Sequence, residues 1–276
     1  VGYAIAVYNH GTEYPYGLLS ILIMLVFFTL PANLFLYGIN DLNDTDTDRE
    51  NPKKAGYESL FDPKDKSGTI RSIALTTLPF VGIVAWLMVS VSVSYRVIGS
   101  LALFFFLGWA YSALPLRLKS RPVLDSVSNV LYIMPGLFAY TLSGGDGVGL
   151  GFLAAVFWAM AMHTFSAVPD REVDEKAGIT TTAVLLGKRD TLLYCTILWV
   201  GAAYFSHSIL GWWSYLFGAL YAGFAVYALL SSSQTVWRLY TFFPWINTLV
   251  GFIIFWFFFH SYFFALVTSF IQRAGF

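Results

Sequence analysis

The chain has 276 residues, of which 57% are hydrophobic, 19% aromatic and only 12% charged. That charged share is about half of what a soluble domain carries, and Lys plus Arg balance Asp plus Glu at zero net charge. An ordinary soluble globule and a basic nucleic-acid-binding surface are both excluded. No nucleic-acid partner is expected.

The long apolar runs read as spanning helices in a single domain over 1–276. Strict apolar/polar alternation is absent, which argues against a transmembrane barrel. In chain order the helices fall near 1–9, 17–40, 70–94, 97–115, 123–143, 149–169, 191–209, 213–231 and 241–269. The fold class is therefore an all-α membrane protein with nine transmembrane helices, the first truncated. The stretch VGYAIAVY is too short to span and begins at Val1, so residues are expected to precede it. No signal peptide is visible. Cys195 is the single cysteine, so no disulfide can form within the chain.

The connectors differ in charge. Segments 10–16, 95–96, 144–148 and 210–212 are short and nearly uncharged, whereas 41–69, 116–122, 170–190 and 232–240 are charged. Of sixteen basic residues only Arg96 and Arg273 fall on the sparse side. The positive-inside rule puts the charged loops in the cytoplasm of a multi-pass cell-membrane protein.

Acidic residues cluster in the same loops, at 41–50 and 170–175. On a helix at about 100° per residue, Asn40, Asp44 and Asp48 form one stripe with Asp41 at its edge. Tyr37 and Asn33 continue that stripe into the membrane, and Asp46 points away. In the second cluster Asp170 and Asp174 are i, i+4, while His163, Ser166 and Asp170 share a face. Crowded carboxylates repel one another unless something positive lies between them. Mg²⁺ commonly takes one or two carboxylates plus phosphate oxygens. Two such clusters predict a claw for a diphosphate, with RLKSR (117–121) and Lys53–Lys54 balancing the remaining phosphate charge. A cation-coupled transporter is the competing class. Its carboxylates belong near the bilayer midplane, not at helix ends beside basic loops.

NDLNDTDTD (40–48) resembles the N-D-x-x-D-x-x-x-D motif of the UbiA-type intramembrane prenyltransferases. DREVD (170–174), followed by KAGITTTAVLLGKRDT, resembles their second D-x-x-x-D motif and the stretch after it. YSALPLRLKSRP (111–122) is similar to the loop after their fourth helix. The resemblance implies helices around a central cavity, cytoplasmic loops capping the active site, and Mg²⁺-dependent prenyl transfer from an isoprenyl diphosphate to a lipophilic acceptor. It assigns Asn40, Asp41, Asp44 and Asp48 to one metal–diphosphate unit, and Asp170 and Asp174 to the other. Tyr111, Asn129, Asn33, Tyr37, Lys54, Arg117, Lys119 and Arg121 are the remaining substrate-binding candidates. Many members have Tyr-x-x-x-Lys in this loop, but here Pro115 stands four residues after Tyr111. Which of Arg117, Lys119 and Arg121 touches phosphate stays open.

Within the family, NLFLYGINDLNDTDTDRENPKK and MHTFSAVPDREVDEKAGITTTAVLLG look most like the lycopene elongases of fifty-carbon carotenoid synthesis. Dimethylallyl diphosphate and lycopene are then the expected donor and acceptor. A quinone-precursor ring, a chlorin or an ether lipid is the alternative acceptor. His163, about two turns above Asp170, is a catalytic base candidate beside the expelled diphosphate. Membrane lipids surround the chain, and the need for a partner membrane subunit stays open.

Overall fold

The computed structural model describes residue 5 and residues 17–48, 62–91, 94–145 and 149–273. Among these residues there are helices and turns and no strand. Helix α1 (Gly17–Thr29) runs into α2 (Pro31–Asp48). The ladder continues through the joint, from Leu30 N to Val26 O at 3.1 Å and from Leu34 N to Leu30 O at 2.9 Å. Pro31 has no N–H to add there, which accounts for the interruption. The rod stays helical beyond its apolar part, so the stripe 40–48 stands on regular helix.

The next helices are α3 (Lys66–Val91) and α4 (Tyr95–Ser112). Ser94 caps α4 by accepting from Arg96 N at 3.3 Å, which satisfies one donor left over at a helix start. The fifth predicted helix is broken: a four-residue turn α5 (Leu124–Val127), a 3₁₀ segment Ser128–Ile133, then α6 (Met134–Leu142). Then follow α7 (Leu150–Ala167), the short α8 (Arg171–Lys176), α9 (Thr182–Leu210), α10 (Trp213–Leu229) and α11 (Ser233–Arg273). Six spans among the described residues are long and apolar enough to cross a membrane. With the broken segment and the shorter α10, eight of the nine predicted helices are present. The first, 1–9, lies outside the described residues apart from Ile5.

Two expectations need correction. Residues 182–190 are helix, not loop, because Thr181 Oγ1 accepts from Val184 N at 3.2 Å and caps α9. Gly187, at φ 71°, kinks α9 five residues later, a conformation open to glycine without a Cβ clash. The face running from His163 to Asp170 is also not continuous helix. α7 stops at Ala167, and Val168–Asp170 form a turn. Pro169 is the cause, since it has no N–H to give to Phe165 O, which accepts from Val168 N at 3.2 Å instead, and the ladder is interrupted there.

Two cores hold the bundle. Phe27, Phe80, Phe104 and Phe138 fill the one formed by α1–α4 and α6. Phe165, Trp199, Tyr221 and Phe243 fill the other, between α7, α9, α10 and α11. Trp199 stacks on Tyr221 at 5.5 Å, and Phe165 on Phe243 at 5.1 Å. Apolar burial cannot drive assembly against lipid tails, so such packing supplies it. The 3₁₀ segment packs on α7 as well as α4, and there the two halves meet.

Candidate active site

At the junction, Asp44 on α2 is 2% exposed. The loop that leaves α4 folds over it. Arg117 takes a left-handed conformation (φ 39°, ψ 57°), and its Nη2 reaches Asp44 Oδ1 at 3.3 Å. Lys119 Nζ pairs with the other carboxylate oxygen and donates to Asn40 Oδ1 at 3.2 Å. Ser112 Oγ donates to the same Asn40 oxygen at 2.8 Å. A buried carboxylate survives desolvation only with such partners. Burial pushes the Lys119 ammonium down to about 8, against the carboxylates of Asp174 and Asp41, which hold its proton on. Lys119 thus lies within the field of both aspartate clusters.

In the second cluster, the turn at Pro169 is followed by a return to helical register. Asp174 N donates to Asp170 O at 2.9 Å, so the predicted i, i+4 relation is kept. Both residues are half-buried. Above them Tyr111 and His163 meet edge to face, with ring centroids 5.9 Å apart. Asn129 is buried, and its Nδ2 donates to Asp125 O. Its Oδ1 is a buried acceptor without a partner.

The other sequence candidates are placed differently. Arg121 turns away, its Nη2 donating to Pro115 O at 3.0 Å. Asn33 Nδ2 donates back to Thr29 O at 2.8 Å, and Tyr37 is exposed. Asp41 is half-buried beside Asn40. Lys54 and the side chain of Asp48 lie outside the described residues.

Two residues escaped the sequence reading. Ser120 Oγ, in the basic loop, is a buried group without a hydrogen-bond partner, as is Arg117 Nε. Asp125 is fully buried. It accepts from Thr182 N at 2.8 Å and from Thr182 Oγ1. Thr182 Oγ1 in turn accepts from Val123 N at 2.7 Å. These bonds fasten the loop carrying Arg117 and Lys119 to the start of α9, just after the second aspartate cluster. They also hold Val123 at φ 70°, a strained conformation for a β-branched residue. A lone Asp in the run LDSVSNVL offers one weak signal, that burying it requires a partner.

Among the described residues no three carboxylates, histidines or cysteines converge into a metal cage. The candidate donors are all oxygen, with two described carboxylates to a cluster (Asp41 and Asp44, Asp170 and Asp174) and the Asn40 amide oxygen beside the first pair. This fits Mg²⁺ sharing its coordination with phosphate oxygens, not a dedicated protein cage. The unpartnered Arg117 Nε and Ser120 Oγ fit an incoming set of acceptor oxygens.

Fold and site together define a multi-pass helical membrane protein whose polar chamber sets carboxylates against cations. The model of the UbiA prenyltransferase family matches residues 1–242, and the chain belongs to that family. It is an intramembrane prenyltransferase. The lycopene elongase/hydratase of Haloferax volcanii is 43% identical over 84% of this chain and 74% of that protein. That of Halobacterium salinarum is 40% identical over 83% and 80%, and that of Corynebacterium glutamicum 31% over 70% and 71%. Among solved structures, a UbiA homologue from Archaeoglobus fulgidus bound to DMAPP and Mg²⁺ superposes with a TM-score of 0.61 at 20% identity. The match covers 90% of this chain and 93% of that one. The same homologue bound to GPP and Mg²⁺ gives 0.59 at 21%, over 92% of each chain. At that identity the likeness speaks to the fold.

Proposed function

We infer that this chain transfers a dimethylallyl group from its diphosphate to the ends of lycopene, in a Mg²⁺-dependent reaction at the cytoplasmic face of the cell membrane. The observation that carries the reading is Lys119, paired with Asp44 and within the field of Asp174 and Asp41. One basic loop thereby faces both aspartate clusters, as a diphosphate claw requires. The acceptor and donor follow from the relatives named lycopene elongase/hydratase.

Asn40, Asp41, Asp44 and Asp48 would hold one Mg²⁺, and Asp170 and Asp174 the other. Bound there, the ions would supply charge neutralisation of the leaving diphosphate. Lys119, Arg117 and Ser120 donate to its remaining oxygens, and Tyr111, Asn129 and the apolar helices above keep water out. The allylic C–O bond breaks with its electron pair on the diphosphate. The π pair of an acceptor terminal double bond forms the new C–C bond, leaving a tertiary cation. That cation loses a proton to the diphosphate or to His163. In the hydrating variant it takes up water, which then loses the proton. The carboxylate clusters sit at helix ends beside basic loops, which favours this reading over a cation-coupled transporter.

The test is an assay of the membrane-embedded protein with dimethylallyl diphosphate, lycopene and Mg²⁺, beside an EDTA control, with products read by mass. A metal-dependent gain of one or two five-carbon units is the expected result, and an added water marks hydration. Prenylation of a quinone precursor, chlorin or ether lipid, with none of lycopene, would replace the acceptor and keep the chemistry.

A further inference from the structure

A second feature lies away from the carboxylates. A cavity of about 650 Å³ opens between α6, α7, α9, α10 and α11, within the range of about 300–1,000 Å³ typical of ligand pockets. Tyr132, Trp158, Trp199 and Tyr221 form its aromatic wall, and no charged side chain among the described residues lines it. It occupies the membrane half opposite Asp44 and Asp170. On α7 the wall runs from Leu150 to Trp158. His163 stands five residues, about 7.5 Å, further along, and the helix ends just before Asp170. On α9 the wall takes in Trp199 to Leu210, while Thr182 at the other end touches Asp125. In the 3₁₀ segment, Asn129 and Tyr132 are i, i+3 and share a face. The inner end of the cavity therefore abuts the chamber that holds Tyr111, His163 and Asn129.

We propose that this cavity seats the far end of a long apolar polyene acceptor while its near end meets the diphosphate. The inference rests on the function proposed above and adds a binding site to it. Length supports it: α7 has 18 residues, or about 27 Å, close to the roughly 30 Å of a bilayer's hydrocarbon. An extended polyene reaching from the aspartates to the far mouth needs that length. A linear acceptor elongated at both ends must also turn round between additions. The subsite must then take an unreacted end in the first round and a modified end in the second. An uncharged, mainly apolar wall suits both. Its serine hydroxyls, on Ser206, Ser208 and Ser214, donate to nearby backbone carbonyls, whereas Asn247 presents an amide whose Oδ1 accepts from Tyr221 Oη at 2.8 Å. Its NH₂ is left to donate to a hydroxyl brought in on a hydrated end.

Gly136 and Gly251 line the cavity, and a Cβ at either would meet nothing within 4 Å. The experiment is equilibrium binding of lycopene to the full chain in nanodiscs, without diphosphate, followed by polyene absorbance. Wild type is compared with the Gly136→Phe/Gly251→Phe double variant. Loss of lycopene affinity by tenfold or more is expected, with Mg²⁺-dependent binding of dimethylallyl diphosphate retained, which also shows that the variant folds. Unchanged lycopene affinity in the double variant would overturn the subsite and leave the proposed function standing. A wild type that binds dimethylallyl diphosphate but no lycopene would overturn both the occupant and the proposed acceptor. In turnover, Asn247→Leu is expected to raise the ratio of singly to doubly elongated hydrated product at least threefold. An unchanged ratio would overturn the role given to Asn247.

Discussion

The two aspartate clusters carry the same residue type at the same spacing, yet they are built differently. Asp44 sits on uninterrupted helix, is 2% exposed and holds both Arg117 and Lys119. Asp170 and Asp174 are half-buried around a turn enforced by Pro169. The first cluster is thus part of what holds the protein together as well as a proposed ligand set. The second is a proposed ligand set on a short connector. Substitutions should separate these roles.

Asp44→Ala should show the largest effect. Prenyl transfer should fall on the order of 10³-fold. Stability should drop by about 3 kcal/mol, because two half-buried cations lose the carboxylate they share. A thermal melt in detergent, run beside the assay, measures both. Asp174→Ala should reduce transfer by a similar order while leaving the melt within about 1 kcal/mol of wild type. An equal loss of stability in both variants would erase the distinction.

Lys119→Ala should raise KM for dimethylallyl diphosphate about tenfold, equivalent to about 1.4 kcal/mol, and Arg117→Ala by a comparable factor. Arg121→Ala should change it less than twofold, since that guanidinium is bound to Pro115 O. A larger effect for Arg121 than for Lys119 would mean that the loop rearranges around substrate.

Asp125→Ala should give a smaller change, a destabilisation of about 1–3 kcal/mol from the stranded Thr182 donors. A several-fold rise in donor KM should accompany it as the loop loosens. Asp125→Asn keeps an acceptor for Thr182 N and should restore most of the KM. Failure of that rescue would mean that Asp125 acts through its charge and not by fastening the loop.

How much of this could be read from residues follows from the range of the interactions. The stripe Asn40–Asp44 was legible because helical periodicity is local and nothing interrupts α2 after Pro31. The spacing of Asp170 and Asp174 survived for the same reason, although the turn at Pro169 removed the longer face drawn from His163. The choice among Arg117, Lys119 and Arg121 was not legible. It depends on left-handed Arg117 and on Val123 at φ 70°, and Val123 is held by Thr182, 59 residues further on. Asp125 was missed on the same ground, since its partner lies 57 residues away. The 182–190 helix was missed because the charges of Lys188, Arg189 and Asp190 outweighed the capping signal at Thr181.

If both clusters together hold a metal–diphosphate unit, loss of either should weaken donor binding before any chemistry occurs. The most direct measurement is equilibrium binding of a non-reactive dimethylallyl thiolodiphosphate to the purified chain, with Mg²⁺ or with EDTA. Wild type would be set beside Asp44→Ala and Asp174→Ala. Binding should require Mg²⁺ and fall at least tenfold in each variant, including Asp174→Ala with its near-wild-type melt. Binding that persists in EDTA, or that Asp174→Ala leaves intact, would contradict it.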